Sequence, residues 1–204
     1  MLNLDKLNQK DAQLIQAGQK ALGFYNGTTR GQPGPKTKAA YKKYMAPRNI
    51  DPTFGEALAL AAESQVGQRE EGNNGGASVR KYQNATWLEP GAWAWCAAFV
   101  CWSFKEALKK SPQPLQRPRT AGAWDFENWA KKEGAELIKP ADVLVRRGDI
   151  LVYTFSHIGI AAMDEHEGSV ETVEGNTNHN GDREGDGVFR KTRKKSLIRS
   201  IIRL

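Results

Sequence analysis

The sequence is poor in the residues that build covalent or metal-held scaffolds. Among 204 residues there are two cysteines and three histidines. Two cysteines cannot make a disulfide framework, and the absence of a CxxC pair leaves no zinc-type spacing. Cys96 and Cys101 are five residues apart. On one helix they would point well apart around the axis, so a bridge between them is geometrically poor. No segment approaches the roughly 20 consecutive apolar residues that span a bilayer, which excludes stable membrane insertion through an apolar helix. The start, Met1 to Lys6, runs into a polar stretch rather than the apolar centre of a secretory signal, so no signal peptide is expected. Internal repeats and low-complexity tracts are also lacking.

What is present describes a folded protein. Hydrophobic residues make up 39% and charged residues 26%, with six Trp, a composition that excludes wholesale disorder. The length suffices for one well-cored domain and a small appended one. Lys and Arg number 30 against 23 Asp and Glu, a formal charge of +7, which favours a polyanionic partner: nucleic acid, an anionic membrane surface or an acidic cell-wall polymer, among which charge alone does not choose. The positive residues are scattered, and the one dense run, Arg190 to Lys195, is short and reads as a solvated face. Nucleic acid is therefore not the expected partner.

The chain divides near residue 50. Residues 11–22 read as a short helix ended by Gly23, and Lys36 to Met45 as a second one, opened by Pro35 and closed by Pro47. The expected domains are thus a helical unit over 1–50 and a larger domain over 51–204. In the latter, Thr53-Phe54-Gly55-Glu56 has capping-box spacing and opens a helix through about Gln65. Residues 67–77 read as loop. Cys96 to Leu108 is apolar on most sides, as in a buried helix, and Thr120 stands where it could cap a helix through Lys132. From Gly148 the pattern turns strand-like: Ile150 to Tyr153, His157 to Ala161, Ser169 to Glu174 and Leu197 to Ile202. Helices followed by strands predict an α+β fold with an antiparallel sheet.

Three positions in this order carry chemical interest. Cys96 lies where a loop containing Pro90-Gly91 turns into the buried helix. A helix N-terminus favours an anion, and so a nucleophilic thiolate and a developing oxyanion. The plain alternative is a buried cysteine acting as a small hydrophobe, which is the reading for Cys101. His157 opens a strand, from which its ring could reach over the helix end as a base; the alternative is a satisfied structural histidine. Glu174 and Asn176 end the next strand, and either could accept the imidazole N–H and set its tautomer. His166 and His179 sit in polar loops. Cysteine, histidine and acid or amide in this order is what a papain-like thiol hydrolase requires.

Here the residues acquire a specific resemblance. Trp95-Cys96-Ala97-Ala98-Phe99-Val100-Cys101-Trp102 resembles the nucleophile motif of the CHAP family, the cysteine- and histidine-dependent amidohydrolases and peptidases. The stretch from Arg69-Glu70-Glu71-Gly72-Asn73-Asn74-Gly75-Gly76 through Val79, Tyr82 and Pro90-Gly91 is similar to what precedes that motif in phage-associated members. Gly148-Asp149-Ile150 with Ser156-His157-Ile158-Gly159-Ile160 resembles the histidine motif, and Glu174-Gly175-Asn176 the acid and amide positions. Gly185 to Leu204 is similar to the last strands. The resemblance covers about residues 55–204. Ala21 to Gly27 with Gly34 to Tyr41 is similar to helical peptidoglycan-binding domains, although Thr29-Arg30-Gly31 replaces the usual acidic residue before glycine.

The resemblance implies a papain-like CHAP domain with Cys96 as nucleophile, His157 as base, and Glu174 and Asn176 as orienting groups. It implies substrate contacts by Tyr82, Trp95 and Asn73. The implied activity is cleavage of an amide bond of peptidoglycan, as N-acetylmuramoyl-L-alanine amidase or endopeptidase, by a monomer without cofactor or metal. Such a protein would be made in a host cytoplasm and act on the wall after release, as an endolysin. The alternatives are an exported antibacterial amidase with an immunity partner, or a non-catalytic wall-binding protein. The alternating Asn178, Asn180, Asp182, Glu184 and Asp186 lack EF-hand spacing and read as a solvated hairpin tip rather than a calcium loop.

Overall fold

The computed structural model describes residues 52–182 and 184–204; the readings made for residues 1–50 lie outside them. Four helices and six strands follow one another as α1 (Phe54–Glu63), α2 (Ala77–Gln83), α3 (Cys96–Leu108), α4 (Asp125–Glu133), β1 (Glu136–Ile138), β2 (Ile150–Tyr153), β3 (Ile158–Ala161), β4 (Ser169–Thr177), β5 (Gly187–Lys194) and β6 (Ile198–Arg203). The fold is α+β. All pairings are antiparallel, in the order β1-β6-β2-β3-β4-β5.

Local chemistry explains the boundaries. The Thr53 hydroxyl accepts the Glu56 N–H at 3.2 Å and caps α1. The second half of the box does not close, because the Glu56 carboxylate turns to Arg147 instead, 2.8 Å from Nε. Thr120 stands before α4 but does not cap it. Its hydroxyl serves its own turn, accepting from the Gly122 N–H at 3.1 Å and donating to Asp125 at 2.9 Å, so the helix begins at Asp125. Gly134, left-handed at φ 76°, ends it.

The sheet has to curl. Strand β5 ends at Lys194 and β6 begins at Ile198, a link that can reach only about 14 Å. In the strand order these two are four spacings apart, about 19 Å in a flat sheet. The two faces build separate cores. One face packs Ile150, Val152, Ile158, Ile160 and Val173 against the helices through Phe99, Val100 and Phe104. The other gathers Leu151, Tyr153, Ala161, Val170, Ile198 and Ile201 without any helix. Strand alternation places Thr172 and Glu174 with Val170 on this second face.

Candidate active site

Cys96 is the first residue of α3. It is buried, and Trp95 at the N-cap offers no side-chain acceptor to the first turn. The first N–H groups of any helix have no partner within it, so here they remain free to hold an anion beside the sulfur. Both cysteines are free thiols. Cys101 lies one turn deeper, against the Thr120 carbonyl, and burial pushes its thiol up to about 12.

His157 closes the hairpin between β2 and β3, after Ser156 with a left-handed φ of 55° and with its own carbonyl accepting from the Tyr153 N–H at 2.9 Å. Its ring is fully buried and lies nearly parallel to Tyr153 and Phe155, with centroids 5.9 and 5.8 Å away. From the hairpin end one ring meets both faces of the sheet. On the face away from the helices, Nε2 is 3.0 Å from Glu174 Oε2. An ionised carboxylate only accepts, so Nε2 carries the hydrogen. On the helix side Nδ1 has no closed hydrogen bond, although the Cys96 thiol acts on the ring. Burial opposes charge on the imidazole, but Cys96 and Glu174 outweigh it and push the ring up to about 9.

Glu174 is saturated. Oε1 accepts from Tyr153 Oη at 2.9 Å, Thr172 Oγ1 at 2.7 Å and Arg193 Nε at 2.9 Å; Oε2 accepts from Arg193 at 2.6 Å besides His157. Burial favours the neutral acid, yet Arg193 and then His157 hold the carboxyl down at about 2. Gly159 makes this possible: a Cβ there would stand 2.7 Å from Glu174 Cγ.

Glu174 and Asn176 part company at this point. Between Glu174 and Thr177 the β4–β5 register slips, and Asn176 takes a left-handed φ of 57°. In this bulge the Asn176 amide is buried, and neither its nitrogen nor its oxygen has a hydrogen-bond partner among the described residues. Of the two, it is Glu174 that accepts the hydrogen bond from His157.

The expected substrate contacts divide likewise. Tyr82 and Trp95 are core residues, stacked at 5.4 Å and without exposed ring surface. Their polar ends are satisfied inside, Tyr82 Oη by Gln65 at 2.9 Å and Trp95 Nε1 by Glu70 at 3.0 Å. Both belong to the core packed around α3 and offer no ring surface to a bound chain; large aromatic rings contribute most as buried surface. Asn73 is exposed and lines a cleft of about 420 Å³ with Glu70, Asn74, Asn178, Glu184 and Asp186. Glu70 ties that cleft to Trp95, the residue before Cys96.

Arg193, Tyr153 and Thr172 were not singled out from the sequence. Arg193 lies in the basic run read as solvated, and in β5 only Arg193 of that run is buried. Its signal is the period of two through Phe189, Lys191 and Arg193. Among the described residues no group of three or more His, Cys, Asp or Glu could hold a metal ion, and no helix is long and apolar enough to cross a membrane. The 178–182 turn is held internally, with the Asn178 amide on Asp182 at 2.8 Å. Compared with known proteins, the chain matches no protein-family model and no curated sequence.

Proposed function

We propose that this chain is a cysteine peptidoglycan amidohydrolase of the CHAP type, acting as an endolysin. The supporting observation is the position of His157, whose ring is bonded through Nε2 to an ionised, fully buried Glu174 and is influenced by Cys96 at an uncapped helix start. In this reading His157 takes the thiol proton and the sulfur attacks the amide carbonyl of a wall peptide. The oxyanion is held by first-turn N–H groups of α3. The C–N bond breaks as His157 returns the proton to the departing amine, leaving a thioester on Cys96. Water, losing a proton to His157, then attacks the thioester; the free carboxylic acid leaves and the thiol is restored. Glu174 keeps Nε2 protonated and the ring oriented, as the third member of a triad does.

The test is the turbidity of purified peptidoglycan with wild type and Cys96→Ala, followed by mass spectrometry of released fragments. Clearing that requires Cys96, with new amino termini on the fragments, supports the reading and names the bond. A folded protein that clears none of several wall types overturns it.

A further inference from the structure

We propose that Arg193 is a positioning residue of this site, its guanidinium deciding where the Glu174 carboxylate leaves room for His157. The inference rests on the proposed thiol mechanism and adds a residue to it.

The argument starts from lone pairs. A carboxylate offers about four acceptor positions. Arg193 occupies one on each oxygen, at 2.9 and 2.6 Å, and Tyr153 and Thr172 crowd Oε1. The position left for an N–H is on Oε2, where His157 Nε2 lies at 3.0 Å. The imidazole therefore has one orientation with Nε2 bonded, and in it Nδ1 is the nitrogen left for Cys96. Arg193 is itself fixed by the Gly181 carbonyl at 3.0 Å and by the rings of Tyr153 and Phe155, 5.6 and 5.3 Å away.

Charge leads to the same residue. The ionisable groups that meet are Cys96 from α3, Tyr153 from β2, His157 from the hairpin, Glu174 from β4 and Arg193 from β5. Arg193 balances Glu174 and leaves the sulfur and the imidazole to share one proton. Without it a buried carboxylate would hold the ring's proton to higher pH, and the thiolate would lose a nearby cation. Both changes move the pair's titration to higher pH, so that the thiolate forms later and the imidazolium persists further into the alkaline range.

The test uses the full chain with Arg193→Lys, Arg193→Met and the double variant Arg193→Met with Glu174→Gln. The readout is the pH profile of Cys96 alkylation by iodoacetamide, resolved by site, beside clearing of peptidoglycan. Alkylation needs no assumption about substrate, so a wild type that clears no wall overturns the proposed function and leaves this test standing. Arg193→Lys keeps the charge and loses the fork; the expectation is a roughly tenfold loss of clearing and of neutral-pH alkylation with the profile's shape retained. Arg193→Met is expected to move the whole profile alkaline by about one unit, and the double variant to recover melting temperature lost in Arg193→Met. If Arg193→Met does not fold, a folded double variant supports the charge role. Wild-type alkylation and clearing in folded Arg193→Lys, or an unmoved profile in folded Arg193→Met, overturns the proposal.

Discussion

A methyl group on Gly175 would lie 2.6 Å from the Cβ of Phe99, so the bare backbone of β4 packs directly on the Phe99 side chain of α3. Trp95 closes the same contact at 2.8 Å. The contact sets the height of α3 over the sheet, and with it the position of Cys96 relative to His157. Gly175→Ala must push the two apart, because backbone and a packed ring cannot yield without moving others. The expected cost is about 1–3 kcal/mol by thermal or urea unfolding, with a larger proportional loss of peptidoglycan clearing than of folded protein. Activity that falls only in step with folded protein would show that the spacing is not critical.

The two cysteines separate the proposed nucleophile, Cys96, from a core thiol. Cys101 is fully buried with its thiol held up at about 12, so at neutral pH it is a small hydrophobe. Cys101→Ala is expected to cost about 1–2 kcal/mol of stability by cavity formation and to leave activity per folded molecule intact. Iodoacetamide at pH 7 should label Cys96 and spare Cys101. Labelling of Cys101 at a comparable rate in the folded protein would contradict its placement.

How much of this was legible in the sequence depends on what each residue signals locally. The Thr53 cap, the apolar run Ile150–Tyr153 and the change to strand periodicity at Gly148 are local facts, and each appears at its expected place. His157 beside Glu174 follows from one antiparallel neighbour. The choice between Glu174 and Asn176 was not legible, because it turns on a bulge, a one-residue slip that no local pattern announces. Arg193 was obscured for a related reason. A buried arginine in a basic strand looks like its exposed neighbours until the sheet face away from the helices supplies a carboxylate. Helix α2 and the three-residue β1 are too short to show a period. Trp95 opens the motif and Tyr82 lies in the stretch upstream of it, but a place in the sequence says nothing about which face of the ring is wet.

Arg147 makes a prediction about stability alone. Its Nε meets Glu56 at 2.8 Å, its terminal nitrogens meet Glu63 at 2.7 and 2.8 Å, and one also reaches the Ala162 carbonyl. It thereby fastens both ends of α1 to the end of β3, while Glu63 also receives Arg190 at 3.0 Å. Several joined charges contribute more than isolated surface pairs, although partial exposure and salt reduce the effect. Arg147→Met should lower stability by about 1–2 kcal/mol, less at high salt, and leave clearing per folded molecule unchanged, since Arg147 touches none of the site residues. A variant as stable as wild type at low salt would remove the network from the account.

The two shifted groups at the centre give opposite limbs to the pH dependence of stability. Glu174 falls from an ordinary 4.5 to about 2 on folding. Its contribution is complete above 4.5 and disappears as pH falls through about 2, because protonation then costs the folded state more than the unfolded one. His157 rises from an ordinary 6.5 to about 9. Its contribution is complete below 6.5 and is lost as pH climbs through about 9, where the folded ring surrenders a proton that the unfolded chain has already released. Melting temperature should therefore be level between about pH 4.5 and 6.5 and decline on both sides, by ~5–10 °C at the alkaline end. Clearing activity should show its alkaline limb near 9, where the imidazolium that protonates the leaving amine is lost. Because Cys96 acts directly on the ring, Cys96→Ser should make the alkaline decline of melting temperature shallower and leave the acid limb in place. Identical alkaline slopes in the two proteins would mean that the histidine's proton is held by Glu174 alone, and that thiol and imidazole are not a working pair in the resting state.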